Sequence, residues 1–249
     1  HAEQIKRIWK ESLGRYGVRK VWQQLKREGY VIARCTVARL MQKLGIQGVW
    51  RGKNKQTTRS RDDQKRADDL VKRNFNADHP DQLWVADFTY IQTHSGWVYT
   101  AFIIDVFSRA IVGWKVSTRM NTDMVLDALE QALHDRGMPK NVIHHSDRGV
   151  QYLSIRYTNR LEAANLRASV GTTGDSYDNA LAETVNGLYK TEVIEYLKAD
   201  WQGLADVQLA TLNWVDWFNK ERVHSALGYV SPFEFEAMYY DKINPLGQV

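Results

Sequence analysis

The sequence predicts an α/β protein: a mixed five-stranded sheet with helices, preceded by a small all-α helix-turn-helix domain. Three observations carry this. Residues 1–45 repeat apolar side chains at the three- and four-residue spacing of helices. From Gln82 the chain changes to runs rich in β-branched and aromatic residues, the composition of strands. Those runs first follow one another directly and then alternate with helical stretches, which joins an antiparallel meander to parallel α/β units.

The first helix is marked by Ile5, Ile8 and Trp9, the second by Val18, Val21, Trp22 and Leu25, and the third by Val37, Leu40, Met41 and Leu44. Gly14 and Gly29 separate them, Thr36 is the expected N-cap of the third helix, and Gly45 its stop. Helices two and three, joined across "EGYVIA", fit a helix-turn-helix whose second helix enters the major groove with Arg34, Arg39 and Lys43 on or near its outer face. A three-helix bundle that binds protein has the same spacing. "RGKNKQTTRSRDDQKR" follows, with seven Lys/Arg in sixteen positions and almost nothing apolar, and reads as a basic linker able to track a phosphate backbone.

"QLWVADFTYI" and "WVYTAFIIDV" are two strands joined at the turn "HSG", and "AIVGWKV" is a third after "FSR". A helix over 122–134 comes next, then the strand "NVIHH", a helix over 154–164, the strand "RASVG" and a long helix from Asn179 to about Lys198. Expected domains are thus a helix-turn-helix over 1–50, a basic linker over 51–79, a catalytic core over 80–200 and a C-terminal helical segment over 201–249. In that last segment the density of aromatic residues, Trp214, Trp217 and Phe218 among them, signals a core or a subunit contact.

With 249 residues, 43% hydrophobic and 25% charged, the composition is that of an ordered globular chain. No apolar run approaches the roughly 20 residues of a membrane span, and a single cysteine, Cys35, excludes an internal disulfide or a cysteine-based zinc site. A cytoplasmic protein is the expectation. The net charge of +5 is unevenly spread: residues 1–79 hold 20 Lys/Arg against 8 Asp/Glu, and residues 80–249 hold 14 against 21. A basic front is the footprint of a phosphate-rich partner, with a merely solvated helical surface as the plain alternative.

Within the acidic back, three carboxylates stand out. Asp87 falls in the middle of a strand, among Trp84, Val85, Phe88 and Tyr90, where aspartate is disfavoured unless it lies on an exposed face. Asp147, in "HHSDRGVQY", lies just past the carboxyl end of the fourth strand, the edge where open α/β sheets place ligands. Glu183 stands on the last core helix, with thirty-five residues between it and Asp147. Three carboxylates brought together repel one another unless a cation neutralises them. Hard oxygen donors point to Mg²⁺ or Mn²⁺, and a pair of such ions about 4 Å apart can serve an attacking and a leaving oxygen on one phosphorus.

"VADFTY", "HHSDRGVQY" and "GDSYDNALAETVNGLYKTE" at this spacing resemble the DDE transposases of bacterial insertion sequences, the OrfB type that shares its core with retroviral integrases. "YGVRKVWQQLKREG" with "VARLMQKLGI", and "WFNKERVHSALGYVSPFEFE", are similar to the amino- and carboxyl-terminal segments of that family, so the likeness spans nearly the whole chain.

The resemblance implies an RNase H-like core in which Asp87, Asp147 and Glu183 are catalytic and hold two Mg²⁺ or Mn²⁺ ions. It also implies a phosphate contact for Lys190, seven residues past Glu183. Arg148, Arg222 and His224 are further candidate DNA contacts. The implied reaction is strand cleavage at the ends of a mobile element and transfer of the freed 3′-hydroxyl into target DNA. The expected partners are double-stranded DNA and a second copy of the chain, in the bacterial cytoplasm on the nucleoid. A chain starting on His1 fits a trimmed or fused origin. A nuclease that never joins strands, or a DNA-binding repressor with an inert core, is the alternative.

Overall fold

Strand β1 (Leu83–Thr93) shows in its burial how the molecule is layered. Leu83 to Ala86 are all buried, as in a strand covered on both faces, whereas from Thr89 onward alternate residues are exposed, as in a strand covered on one. The computed structural model describes residues 1–50, 70–71, 75–147, 150–171, 180–197 and 200–244. β1 pairs antiparallel with β2 (Gly96–Asp105), which pairs antiparallel with β3 (Ile111–Ser117). On its other side, the first four residues of β1 pair parallel with β4 (Ile143–Ser146), and β4 pairs parallel with β5 (Arg167–Val170). The sheet order is β3-β2-β1-β4-β5, the mixed five-stranded sheet expected from the sequence.

One face of the sheet, through Trp84, Ala86, Ala101 and Ile103, packs on α4 (Thr122–Asp135) and α5 (Ile155–Ala163). Asn121 caps α4 by accepting from the Met124 N–H at 3.2 Å, and Ser154 caps α5 by accepting from the Tyr157 N–H at 3.3 Å. α4 lies so close to β3 that Gly113 is obligatory: a Cβ there would meet the Ala128 carbonyl oxygen at 2.2 Å.

The opposite face, through Leu83, Val85, Phe102 and Ile104, packs on α6 (Ala180–Tyr189) and α7 (Leu204–Lys220). Phe102, Tyr189 and Trp214 meet there at steep angles, with ring centroids 5.1 to 5.9 Å apart, and Trp214, Trp217 and Phe218 of the C-terminal segment belong to the core. The long helix expected from Asn179 to about Lys198 is helical over Ala180–Glu195. α6 widens into a π-helical stretch, Lys190–Glu195, and residues 179 and 198 lie outside the described residues.

Helices α1 (Ala2–Glu11), α2 (Val18–Arg27) and α3 (Arg34–Lys43) pack around Ile5, Ile8, Val21, Leu25, Val37 and Met41. Their core is continuous with the α6/α7 face of the sheet. Polar ties reinforce the junction: the Tyr16 hydroxyl accepts from the Val223 N–H at 2.8 Å and donates to the Glu221 carbonyl at 3.2 Å. Gly14, at φ +73°, ends α1 where a Cβ would collide with the Tyr196 hydroxyl. Thr36 is not the cap of α3. Ala33 holds that place, its carbonyl accepting from the N–H of Thr36 and Val37, because the chain is already extended at Ala33 (ψ 142°). After α7, Ser231 and Glu234 form a capping box at α8 (Pro232–Ile243), the Ser231 hydroxyl accepting from the Glu234 N–H at 3.3 Å. Among the described residues no helix is long and apolar enough to cross a membrane.

Candidate active site

The parallel register of β1 and β4 ends at Ala86 opposite Ser146. Asp87 is the next residue on β1 and Asp147 follows the last residue of β4, so both stand where the two strands stop pairing. Both are half-buried. α6 crosses β1 at this point, presenting Glu183 in its first turn, exposed, and Asn186 one turn later, buried.

Asp87 is held from two sides. Its Oδ1 accepts from the Phe88 N–H at 2.8 Å and its Oδ2 from the Asn186 Nδ2 at 2.9 Å. Burial, reinforced by the charges of Asp147 and Glu183, nevertheless pushes the Asp87 carboxyl up to about 8. Glu183 is raised as well, first by burial and then by Asp147. The three acids therefore lie within electrostatic reach of one another. Among the described residues no three His, Cys, Asp or Glu side chains are drawn tightly enough to cage a metal by themselves. The donor chemistry nevertheless fits a hard cation: three carboxylate groups, two of them raised by their neighbours' charge, beside the Asn186 Oδ1, which is buried with no hydrogen-bond partner.

Around the acids, His145 and Ser146 are buried at the end of β4, and His145 Nδ1 lies 2.9 Å from the Ser169 hydroxyl. His144 is a core residue, its Nε2 3.0 Å from the Tyr157 hydroxyl, and burial lowers it to about 4. Lys190 is half-buried at the end of α6, with its Nζ 4.7 Å from the centroid of the Tyr90 ring. Arg148, with Gly149, lies outside the described residues, as do Asp178 and Asn179 and the basic stretch 51–66.

Other expected DNA contacts separate into two groups. Arg34, Arg39 and Lys43 are all exposed on α3, and Arg39 donates to the Thr36 hydroxyl at 3.3 Å. Arg222 requires correction. It is buried, and its guanidinium forks onto Glu192, with Nη2 to Oε1 at 2.5 Å and Nε to Oε2 at 3.0 Å. His224 is corrected with it: the half-buried ring packs edge-on against Phe218 at 4.7 Å, and burial with the Arg222 charge lowers it to about 2. Neither side chain is presented as a free cation to DNA, because both are spent on internal packing. Asn186 is the residue that sequence reasoning passed over. Its signal was its place three residues past Glu183, on the same helix face.

Residues 77–176 and 164–232 match the integrase core domain family, and residues 1–54 match the HTH-like domain family. In fold, the chain is similar to the HTLV-2 integrase catalytic core domain in complex with magnesium, with a TM-score of 0.52 at 18% identity over 65% of this chain and 99% of that one. It is also similar to a simian T-cell lymphotropic virus intasome in complex with PP2A regulatory subunit B56 gamma, with a TM-score of 0.55 at 14% identity over 93% of this chain and 74% of that one. The fold class is thus the RNase H-like core of retroviral integrases, preceded by a helix-turn-helix-type domain. The sequence is 56% identical over 241 residues to the transposase for insertion sequence element IS629 of Shigella sonnei, covering 97% of this chain and 80% of that protein. It is 34% identical over 227 residues to transposase InsF for insertion sequence IS3A of Escherichia coli K12, covering 90% and 78%. The chain belongs to the insertion-sequence transposases with an integrase core, and is a polynucleotidyl transferase of that type.

Proposed function

We propose that Asp87, Asp147 and Glu183 are the catalytic carboxylates of DNA cleavage and strand transfer at insertion-sequence ends, and that together they hold two divalent cations, Mg²⁺ or Mn²⁺. The observation that carries this is the placement of Asp87 and Asp147 where β1 and β4 part, beneath the α6 turn that bears Glu183 and binds Asp87 through Asn186. Two bound ions would offset the charge of the reacting phosphate, favour deprotonation of the attacking oxygen and stabilise the leaving one. Asp87 and Asp147 anchor the site on the rigid centre of the sheet, and Asn186 fixes the rotamer of Asp87 through its 2.9 Å hydrogen bond. Glu183, exposed on α6, completes the site from above.

Lys190 neutralises a phosphate beside the scissile bond, and exposed Arg34, Arg39 and Lys43 hold the duplex through α3. In the first step water attacks the phosphodiester and the 3′-oxygen of the element end leaves as a hydroxyl. In the second that 3′-hydroxyl attacks a target phosphodiester, forming one P–O bond as another breaks. Substrate positioning and charge neutralisation supply the rate, with no covalent enzyme intermediate. The division into residues 1–50, 51–79, 80–200 and 201–249 matches these roles: grip, backbone tracking, chemistry and support. Two element ends call for two copies of the chain, and the nucleoid is where they are found.

The test is a strand-joining assay with element-end duplexes and Mg²⁺. Asp87→Asn and Glu183→Gln should each lose both cleavage and joining while binding the duplex as wild type does. Cleavage at the wild-type rate by either variant would remove the assignment, and cleavage with no joined product from wild type would leave a hydrolytic nuclease.

A further inference from the structure

We infer that Tyr90, Trp97 and Lys190 form a nucleotide-stacking platform beside the active site, which takes an unstacked base of the DNA next to the scissile phosphate. The inference rests on the placement of the catalytic acids given above.

The antiparallel register sets Tyr90 opposite Tyr99 and Gln92 opposite Trp97, so all four share one face of the β1–β2 hairpin. This is the face that α4 and α5 cover further down the sheet; Tyr99 still packs against their core, while Tyr90 and Trp97 are exposed. Tyr90 is 41% and Trp97 49% exposed, on a part of the sheet where alternate residues turn outward to solvent. The two rings meet nearly at right angles, 82° between planes and 5.3 Å between centroids, an edge-to-face contact that takes up one face of one ring and leaves the other faces of the pair to a ligand.

Position distinguishes this pair from scattered surface aromatics. Tyr90 is three residues, about 10 Å, along β1 from Asp87, an odd separation that sets its ring on the face opposite the acid. Among the described residues, pairing of β1 with β4 stops at Ala86, so no strand is paired to that edge of β1 between the acids and the platform. Lys190, on the helix covering the opposite face, reaches across that edge to place its Nζ 4.7 Å from the Tyr90 ring centroid. A single nucleotide offers a π-face and a phosphate, and binding sites for unpaired strands answer with an aromatic ring and a nearby cation. Here both are present within a few nucleotides' reach of the acids. A hairpin in need only of cross-strand packing has no use for an ammonium group brought from the catalytic helix.

The test replaces thymines on both strands near the cleavage position with 5-iodouracil, one at a time, and irradiates wild-type complexes without divalent metal. The expected result is a crosslink, at one or two positions flanking the scissile phosphate, that peptide mapping assigns to Tyr90 or Trp97. In parallel, Trp97→Ala and Tyr90→Ala should slow cleavage by between about fivefold and a hundredfold, the range for losing one base–aromatic stack. Duplex binding should change less than threefold, because α3 carries most of it. Trp97→Phe and Tyr90→Phe should restore cleavage to within about threefold, which separates stacking from misfolding. Absence of any crosslink to the β1–β2 hairpin, or alanine variants that cleave like wild type, would overturn the platform. Crosslinking needs no chemistry, so it stays informative even if Asp87→Asn and Glu183→Gln still cut and the acid assignment falls.

Discussion

Replacing Glu192 by glutamine isolates the buried charge that ties three parts of the chain together. The Arg222 and Glu192 side chains are only 6% and 8% exposed, and the carboxylate also accepts from the Trp214 indole at 3.1 Å. From the first domain, the buried Arg15 donates its Nε–H to the Glu192 backbone carbonyl at 3.1 Å and lies over the Trp217 ring at 4.6 Å. Arginine does not deprotonate in a protein interior, so Glu192→Gln leaves a guanidinium without its counter-charge. Breaking a buried pair from one side costs about 3–5 kcal/mol, which for a chain of this size lowers the melting temperature by roughly 6–20 °C. Replacing both partners, Glu192→Leu with Arg222→Met, should recover most of that loss, because no unpaired charge remains.

The pH dependence has a definite sign. Burial alone would raise the Glu192 carboxyl, but the Arg222 charge and hydrogen bonds outweigh it and hold the group below its ordinary 4.5. The stabilisation is therefore fully present above pH 4.5 and is lost as the pH falls further, through the lowered value. Thermal and urea melts of wild type, Glu192→Gln and the double variant between pH 3 and 7 measure all of this. A Glu192→Gln loss under about 1 kcal/mol, typical of an exposed pair, would refute the reasoning.

Other outcomes follow from other parts of the structure. Asn186→Ala frees Asp87 Oδ2 and should lower cleavage, or raise the Mg²⁺ needed for it, by about 10–100-fold, the usual effect of losing a partner that orients a metal ligand; an unchanged metal titration would show that Asn186 does not position the acid. Gly113→Ala drives a methyl into the Ala128 carbonyl and should cost about 1–3 kcal/mol in a urea melt, whereas a wild-type midpoint would mean that α4 yields freely. Arg39→Ala with Lys43→Ala should weaken element-end binding and flatten its log–log salt dependence by about one for each phosphate no longer neutralised, leaving the melting temperature nearly unchanged. Mg²⁺ at a hundred times its dissociation constant should stabilise the wild-type fold by up to ~2.7 kcal/mol, and Glu183→Gln should reduce that gain.

What the sequence determined by itself was local, or carried by motif. Apolar spacing marked α1 to α3, and β-branched runs marked the five strands, because helix and strand periods are written in neighbouring residues. The three acids proposed as catalytic stood out because an aspartate inside an otherwise apolar strand conflicts with its surroundings, and because "VADFTY", "HHSDRGVQY" and "ALAETVNGLY" are recognisable stretches. Tertiary structure decided whatever depends on residues far apart in the chain. Arg222 looked like a surface cation until Glu192, thirty residues earlier, was found against it in the core. Asn186 became a partner of Asp87 only when α6 settled across β1. Tyr90 and Trp97 stayed exposed outside the core that α4 and α5 form on that face, which no composition reveals. Burial and pairing are set by long-range packing, and it is packing that turns a charge or a ring into either a structural tie or a surface for DNA.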